Sequence, residues 1–446
     1  MQVLTWTTAH IEENLQESRK TPAHPGWYFS GVTVNDWLFE ELTMSRPRLT
    51  LSALAIAIWA VAPAPVAAQS ADELFDPRAV HDIRITINSR DYRQLREDYL
   101  SNTYYTADVA WRGLKVRNVG IRNRGVGSRN PQKLGLRVDF NRFTKGQTFL
   151  GLRAVILDNI WQDGSFIAER TSMALFERMG QPTPRESFAR VYINGAFQGL
   201  YAVIESIDEP FLTRTFGERD GYLFSFQHQG AEAAWRGEYL GDEYHPYKRF
   251  FEPETHQLEA DAMVYQPILE LFREVNGPED SVWRERVERY VDLPQLVRHV
   301  AIEVFLAEGD GFLGSNGMNN YFLYRPAKST AHRWIPWDKD SAMLDSHFGI
   351  FTRADENVLV SRALAFPDLR AHYLNVLEEC ARVAATDEWL LQQVEQLAAL
   401  AEGPASEDTL KQFSTEAFAG AVDLIRQFAK ERPAFVMQEV ARARGN

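Results

Sequence analysis

Asp338 and Asp340 stand two residues apart, directly after the apolar stretch Ile335-Pro336-Trp337. Two carboxylates delivered to the end of a strand suit a hard divalent ion, which takes one or two protein oxygens and fills its shell with phosphates and waters. A second pattern lies upstream. Asp310 sits between Gly309 and Gly311, with Asn316, Asn319 and Asn320 following. An aspartate in a glycine-flanked loop with amides nearby can bind metal or orient a hydroxyl nucleophile. The third pattern is Arg122-Asn123-Arg124-Gly125-Val126-Gly127-Ser128, followed by Arg129 and Lys133. Its glycines and serine let backbone N–H groups approach an anion, Arg124 and Arg129 add charge, and the Lys133 ammonium can meet a phosphate as a point charge. Each pattern also has a plain structural reading: a surface charge, an Asx-rich loop bonded to its own backbone, or a solvated hairpin.

These residues need elements to hold them. Residues 83–87 alternate apolar and polar as a half-buried strand does, and 108–112, 116–122 and 134–140 continue the pattern. Residues 165–179 read as a helix, with Asp163 as a cap and Gly180 as its stop. Strands over 188–193 and 199–204 flank Asn194-Gly195, a hairpin turn signal. Residues 260–308 read as helical, broken near Pro278 and Pro294. Strands over 321–324 and 333–337 then lead into the acidic pair, and from Ser361 onward the pattern is helical. The fold class expected is α+β, strand-rich early and helix-rich late.

The chain of 446 residues, 45% hydrophobic and 24% charged, has the composition of a globular protein with a sizeable core. A net charge of -13 excludes general nucleic-acid binding, which depends on clustered Lys and Arg. Met44-Ser45-Arg46-Pro47-Arg48 is a short basic stretch; the apolar run from Leu51 to Val61 and Val66-Ala67-Ala68 follow it. That order is the pattern of a secretory signal peptide cleaved after Ala68, and the run is too short for a stable membrane span. Residues 1–43 are then expected to be an extension ahead of the true start at Met44. The product would be exported, periplasmic or extracellular. Cys380 has no second cysteine to pair with and lies in a helical pattern, so it reads as a small buried hydrophobe.

The acidic pair admits rival chemistries. A strand followed by Asp-x-Asp resembles the nucleophile motif of HAD-type phosphatases, with Ser341 close behind, and Asp-x-Asp is also the metal clamp of many glycosyltransferases. No His-Glu-x-x-His, Gly-x-Ser-x-Gly or paired-cysteine metal motif occurs.

The order and spacing of the pieces resemble the CotH family of secreted atypical kinases, from about Leu74 to Asp345. The resemblance rests on Leu74-Phe75-Asp76, Arg124 to Ser128 with Lys133, and residues 157–170 around Asp163. It continues through Val191-Tyr192-Ile193-Asn194-Gly195-x3-Gly199-Leu200-Tyr201-x3-Glu205, Asp310-Gly311, Asn320-Tyr321 and Ile335 to Asp340. It implies a diverged protein-kinase-like domain over 69–360, with residues 361–446 a helical extension packed on it. The implied activity is transfer of the ATP γ-phosphate to Ser or Thr of a protein acceptor, with Mg²⁺ or Mn²⁺. By the same resemblance Arg124, Gly125, Gly127, Ser128 and Lys133 would hold the nucleotide, and Glu169 or Glu205 would pair with Lys133. Asp310 would be the catalytic-loop aspartate; Asp338, Asn320 and Asp340 would serve the metal. A binding or structural role on the same fold is the alternative.

Overall fold

A computed structural model describes residues 69–230, 234–278 and 281–445. The expectations for residues 1–43 and 44–68 fall outside these described residues. Everything below lies within one compact unit that begins at Ala67.

Seven strands close into a barrel: β1 (Val80–Ile87), β2 (Tyr105–Trp111), β3 (Leu114–Asn123), β4 (Leu136–Asp139), β5 (Ala154–Asp158), β6 (Glu186–Ile193) and β7 (Ala196–Glu205). Their order is β1-β2-β3-β4-β5-β7-β6, and β6 closes on β1 in parallel while every other pairing is antiparallel. Strict alternation drives closure: Ile83, Ile85 and Ile87 point inward with Val109, Trp111, Ile121, Leu136, Val138, Leu157, Val191 and Val203. The hairpin between β6 and β7 turns on Asn194 and Gly195, both at positive φ (51° and 83°), as a tight two-residue turn demands. The sequence pattern did not announce β5. Its run Ala-Val-Ile-Leu is apolar on both faces because β5 is covered inside by the barrel core and outside by helices, which erases the period-2 signal.

A second antiparallel sheet, β11-β10-β8-β9, is built from β8 (Tyr222–Phe226), β9 (Phe251–Pro253), β10 (Tyr321–Arg325) and β11 (Arg333–Pro336). The outer faces of β5, β6 and β7 share one large core with this sheet and the helices, through residues such as Ile156, Phe188, Ile204, Phe224, Phe305 and Leu377. The helix Ala168–Arg178 packs there. Asp163 prepares its start by accepting hydrogen bonds from the Ala168 and Ser165 N–H groups, 2.9 and 2.7 Å away, and Gly180 ends the segment at φ 72°. The helix Leu293–Phe305 carries Pro294 in its first turn, where a missing N–H costs nothing. Three long helices, Pro367–Ala385, Trp389–Glu407 and Thr415–Gly445, complete the chain, and Cys380 is buried among them. The architecture is the expected α+β, strand-rich first and helix-rich later. Among the described residues no helix is long and apolar enough to cross a membrane.

Candidate active site

The strand β11 stops at Pro336, and the backbone turns sharply: Asp338 sits at φ 52°, a left-handed conformation that a non-glycine residue adopts only under constraint. The constraint comes from Lys339. Its ammonium lies 2.6 Å from Glu303 on the helix Leu293–Phe305 and donates to the Asn320 carbonyl at 2.7 Å, with no exposure to solvent. The lysine between the two aspartates is therefore held in the core, while Asp338 and Asp340 are only partly buried. Glu303 accepts a second bond from the Phe312 N–H at 2.7 Å, so one buried carboxylate ties the Asp310 loop to the acidic pair.

Asp310 is half-buried and held from two sides. Its Oδ2 accepts from the amides of Asn319 (3.0 Å) and Asn320 (3.3 Å), and its backbone N–H donates to Glu308 at 2.8 Å. Asn320 thus spends its amide N–H on Asp310. Across the cleft, the Arg124 guanidinium pairs with Asp158 at the end of β5 and lies 5.6 Å from the centre of the Trp337 ring. The turn beyond Arg124 is tight: Gly125 has φ 94°, and any Cβ there would meet the Ser128 hydroxyl. Gly127 has Gln162 at ordinary contact distance. Arg129 braces the turn from below by donating to the Gly125 carbonyl at 2.7 Å rather than facing an anion.

The electrostatics mark this cleft as crowded with acid. Burial pushes Asp338 up to about 6, opposed by Arg124 and reinforced by Asp158 and Asp310. Burial raises Asp340 well above the carboxylate range, and Asp338, Asp163, Glu308 and Asp158 add to it. Glu169, from the helix Ala168–Arg178, is raised well above its usual value by burial and then by Glu186, Asp338, Asp158 and Asp340. Glu308 rises to about 8, again through burial first. A narrow cavity is lined by Asp158, Asp163, Glu169 and Asp340, together with Arg170 and the apolar Ile160, Phe166 and Ala202. One Glu169 oxygen is buried with no hydrogen-bond partner. Hard oxygen donors repelling one another around an orphaned carboxylate oxygen fit a divalent cation. Among the described residues no three His, Cys, Asp or Glu side chains are arranged as a metal shell.

Two expectations change. Lys133 pairs with neither Glu169 nor Glu205. Its ammonium is fully enclosed, 2.7 Å from Asp408 and 2.9 Å from the Leu200 carbonyl, so it does not face the cleft as a phosphate-holding charge. Glu205 is buried at the end of β7, where Arg185 (2.6 Å) and Arg214 (2.7 Å) take both of its oxygens in place of Lys133. The structure does bring together Arg124, Asp310, Asn320, Asp338 and Asp340. Sequence reasoning missed Asp158, Glu303, Glu308, Lys339 and Asp408. Of these, Lys339 lay inside the acidic motif without a role of its own and Asp158 in the stretch 157–170; the others carried no local signal.

With this geometry in view, comparison with known proteins is informative. The CotH family, described as CotH kinase protein, matches residues 121–436. Inner spore coat protein H of Bacillus subtilis (strain 168) is 24% identical over 364 residues, covering 80% of this chain and 97% of its own. The crystal structure of a Helicobacter pylori proinflammatory kinase, CtkA, aligns with a TM-score of 0.28 at 10% identity, over 70% of this chain and 94% of that one. The family match spans the Arg124 turn, the Asp310 loop, the acidic pair and most of the C-terminal helices: the chain belongs to the CotH family.

Proposed function

We propose that this protein is an exported CotH-type kinase that transfers the γ-phosphate of ATP to a Ser or Thr hydroxyl of a protein acceptor. The observation that carries the reading is that Asn320 joins two of the motifs, its amide donating to Asp310 and its carbonyl accepting from Lys339 between the two acids, while Arg124 of the third lies 5.6 Å from the centre of the Trp337 ring. Arg124 and the N–H groups of the Gly125–Ser128 turn receive the nucleotide phosphates. Asp338 and Asp340, with Asn320 or Glu169 beside them, hold Mg²⁺ or Mn²⁺. That ion, when bound, neutralises phosphate charge and lets the crowded carboxylates ionise. Asp310, oriented by Asn319 and Asn320, accepts the proton of the acceptor hydroxyl. The hydroxyl oxygen bonds to the γ-phosphorus as the bond to the β–γ bridging oxygen breaks, and ADP leaves with that electron pair. The site works by positioning and charge neutralisation.

The test is phosphate transfer from γ-labelled ATP by the purified chain with Mg²⁺ or Mn²⁺, against Asp338→Asn. Labelling that is present in the native protein and lost in the variant supports the reading; equal signals from both remove it. The enclosure of Lys133 favours one second reading, a surface or envelope binding protein that keeps the fold without transfer. Nucleotide that neither labels nor raises the melting temperature would select it. The phosphatase chemistry is disfavoured by setting: Asp338 leaves an antiparallel strand pair, β10 with β11, rather than a parallel strand end. Export by cleavage after Ala68 is part of the proposal, and mass spectrometry of the mature N-terminus checks it.

A further inference from the structure

Asp408 ends the helix Trp389–Glu407, far along the chain from the cleft, yet its side chain is wholly enclosed against the barrel. One oxygen accepts from the Lys133 ammonium at 2.7 Å and from the Leu200 N–H at 3.1 Å, and the other accepts from the Leu410 N–H at 2.9 Å. The barrel is shaped to admit it. Gly199 has φ 115°, and a Cβ there would stand 2.3 Å from an Asp408 oxygen. Lys133 in turn closes the segment that begins at Arg124. The Asn159 amide donates to the Lys133 carbonyl at 2.8 Å and to the Ser128 carbonyl at 2.9 Å, so the turn and the lysine hang from one side chain. The Lys133 backbone N–H also reaches Asn130 at 3.3 Å.

We infer that Asp408 is a positioning residue for the site: it anchors Lys133, and through Lys133 and Asn159 it fixes the Arg124–Ser128 turn over the acidic pair. The C-terminal helices therefore belong to the catalytic apparatus rather than being an appendage. Lys133 acts from behind the turn, and Arg124 is the cation that meets phosphate. The inference deepens the kinase reading and rests on it only for its kinetic consequence. A buried pair like this costs its desolvation and is damaging to break from one side, because the remaining charge is left without a partner.

Hydrogen exchange across residues 124–133, measured without nucleotide, tests the strut independently of activity. Asp408→Asn and Lys133→Met should each speed exchange in that segment about tenfold while the helix Leu293–Phe305 keeps its native protection. Gly199→Ala, which pushes Asp408 away without touching a charge, should do the same. Lys133→Met combined with Asp408→Asn leaves no unpaired charge but still lacks the contact, so exchange in that segment should stay about as fast as in the single variants. In the kinase assay the single variants should raise KM for Mg-ATP about tenfold with kcat within about threefold of native, and the double variant should keep that raised KM. Uniform acceleration along the whole chain, or no local change in Asp408→Asn and Gly199→Ala, overturns the inference. So does a double variant whose exchange returns to native, because the turn would then be held without the contact and the single variants would have acted only through an unpaired charge. Expected exchange changes in a protein that transfers no phosphate leave the strut standing and remove the kinase reading instead.

Discussion

The Lys339 ammonium and the Glu303 carboxylate meet at 2.6 Å in the core, and that contact joins the helix Leu293–Phe305 to the acidic pair. Glu303 is held down to about 2: burial opposes its charge, but Lys339 and His299 overcome the burial. His299 completes the row at 3.1 Å from the other side. Lys339→Met would leave Glu303 charged in the core, and we expect a loss of about 3–5 kcal/mol of stability. Glu303→Gln should cost less, because Lys339 keeps two oxygen acceptors, the amide oxygen and the Asn320 carbonyl, and only the Phe312 N–H loses its partner. Denaturant titration of both variants checks the order, and equal losses would contradict it.

Function and stability should pull apart at the acidic pair. Asp340 is repelled by Asp338, Asp163, Glu308 and Asp158. Removing its charge relieves that crowding. Asp340→Asn should therefore raise the metal-free protein's stability by about 1 kcal/mol while lowering phosphate transfer at least about 100-fold. Thermal melts in chelator, set beside the transfer assay, read both. A variant that is less stable and fully active would refute the assignment of Asp340 to the cation.

What could be read from the sequence alone was local. Turn chemistry marked Asn194-Gly195, the Gly125–Ser128 turn and the Asp310 loop, and an apolar strand ahead of two acids marked Asp338 and Asp340. Each is written within a few neighbouring residues. The partners that hold these groups are not. Lys133 and Asp408 are 275 residues apart, and nothing in the helical pattern around Asp408 separates it from a solvated helix end. The middle residue of Asp338-Lys339-Asp340 looks like another site charge until its contacts with Glu303 and the Asn320 carbonyl place it in the core. Glu205 failed for a related reason: a strand-end glutamate reveals nothing of the arginines that reach it from Arg185 and from the next helix. Short-range signals showed where chemistry could sit, and tertiary pairing decided which charge meets which.

A pH dependence follows from Glu186. Both of its oxygens are buried without hydrogen-bond partners. Burial lifts it to about 8, opposed by Arg170 and helped by Asp158 and Asp338. The folded state therefore holds this proton more tightly than the unfolded chain, where the group titrates near 4.5. Its contribution is complete below that value and is lost as pH rises through about 8. We expect the native protein to lose roughly 1–2 kcal/mol more than Glu186→Gln between pH 6 and 9. Melting curves of the two proteins across that range should diverge in this direction, and parallel curves would show that Glu186 ionises freely.

The last prediction separates the two cations. Arg124 faces the cleft, paired with Asp158 and against Trp337, whereas Lys133 is shut behind the turn. Arg124→Met should leave the Lys133–Asp408 contact and the barrel intact, with the melting temperature lowered by leaving Asp158 without its partner. Phosphate binding should suffer, with the dissociation constant for Mg-ATP rising about tenfold or more through loss of a charge-assisted contact. Arg124→Lys should recover only part of the affinity, because an ammonium keeps the charge but cannot reproduce the planar pairing with Asp158 and the stacking on Trp337. Calorimetric titration of nucleotide into the native protein and both variants gives the ranking. Native-like binding by Arg124→Met would return the phosphate role to another group.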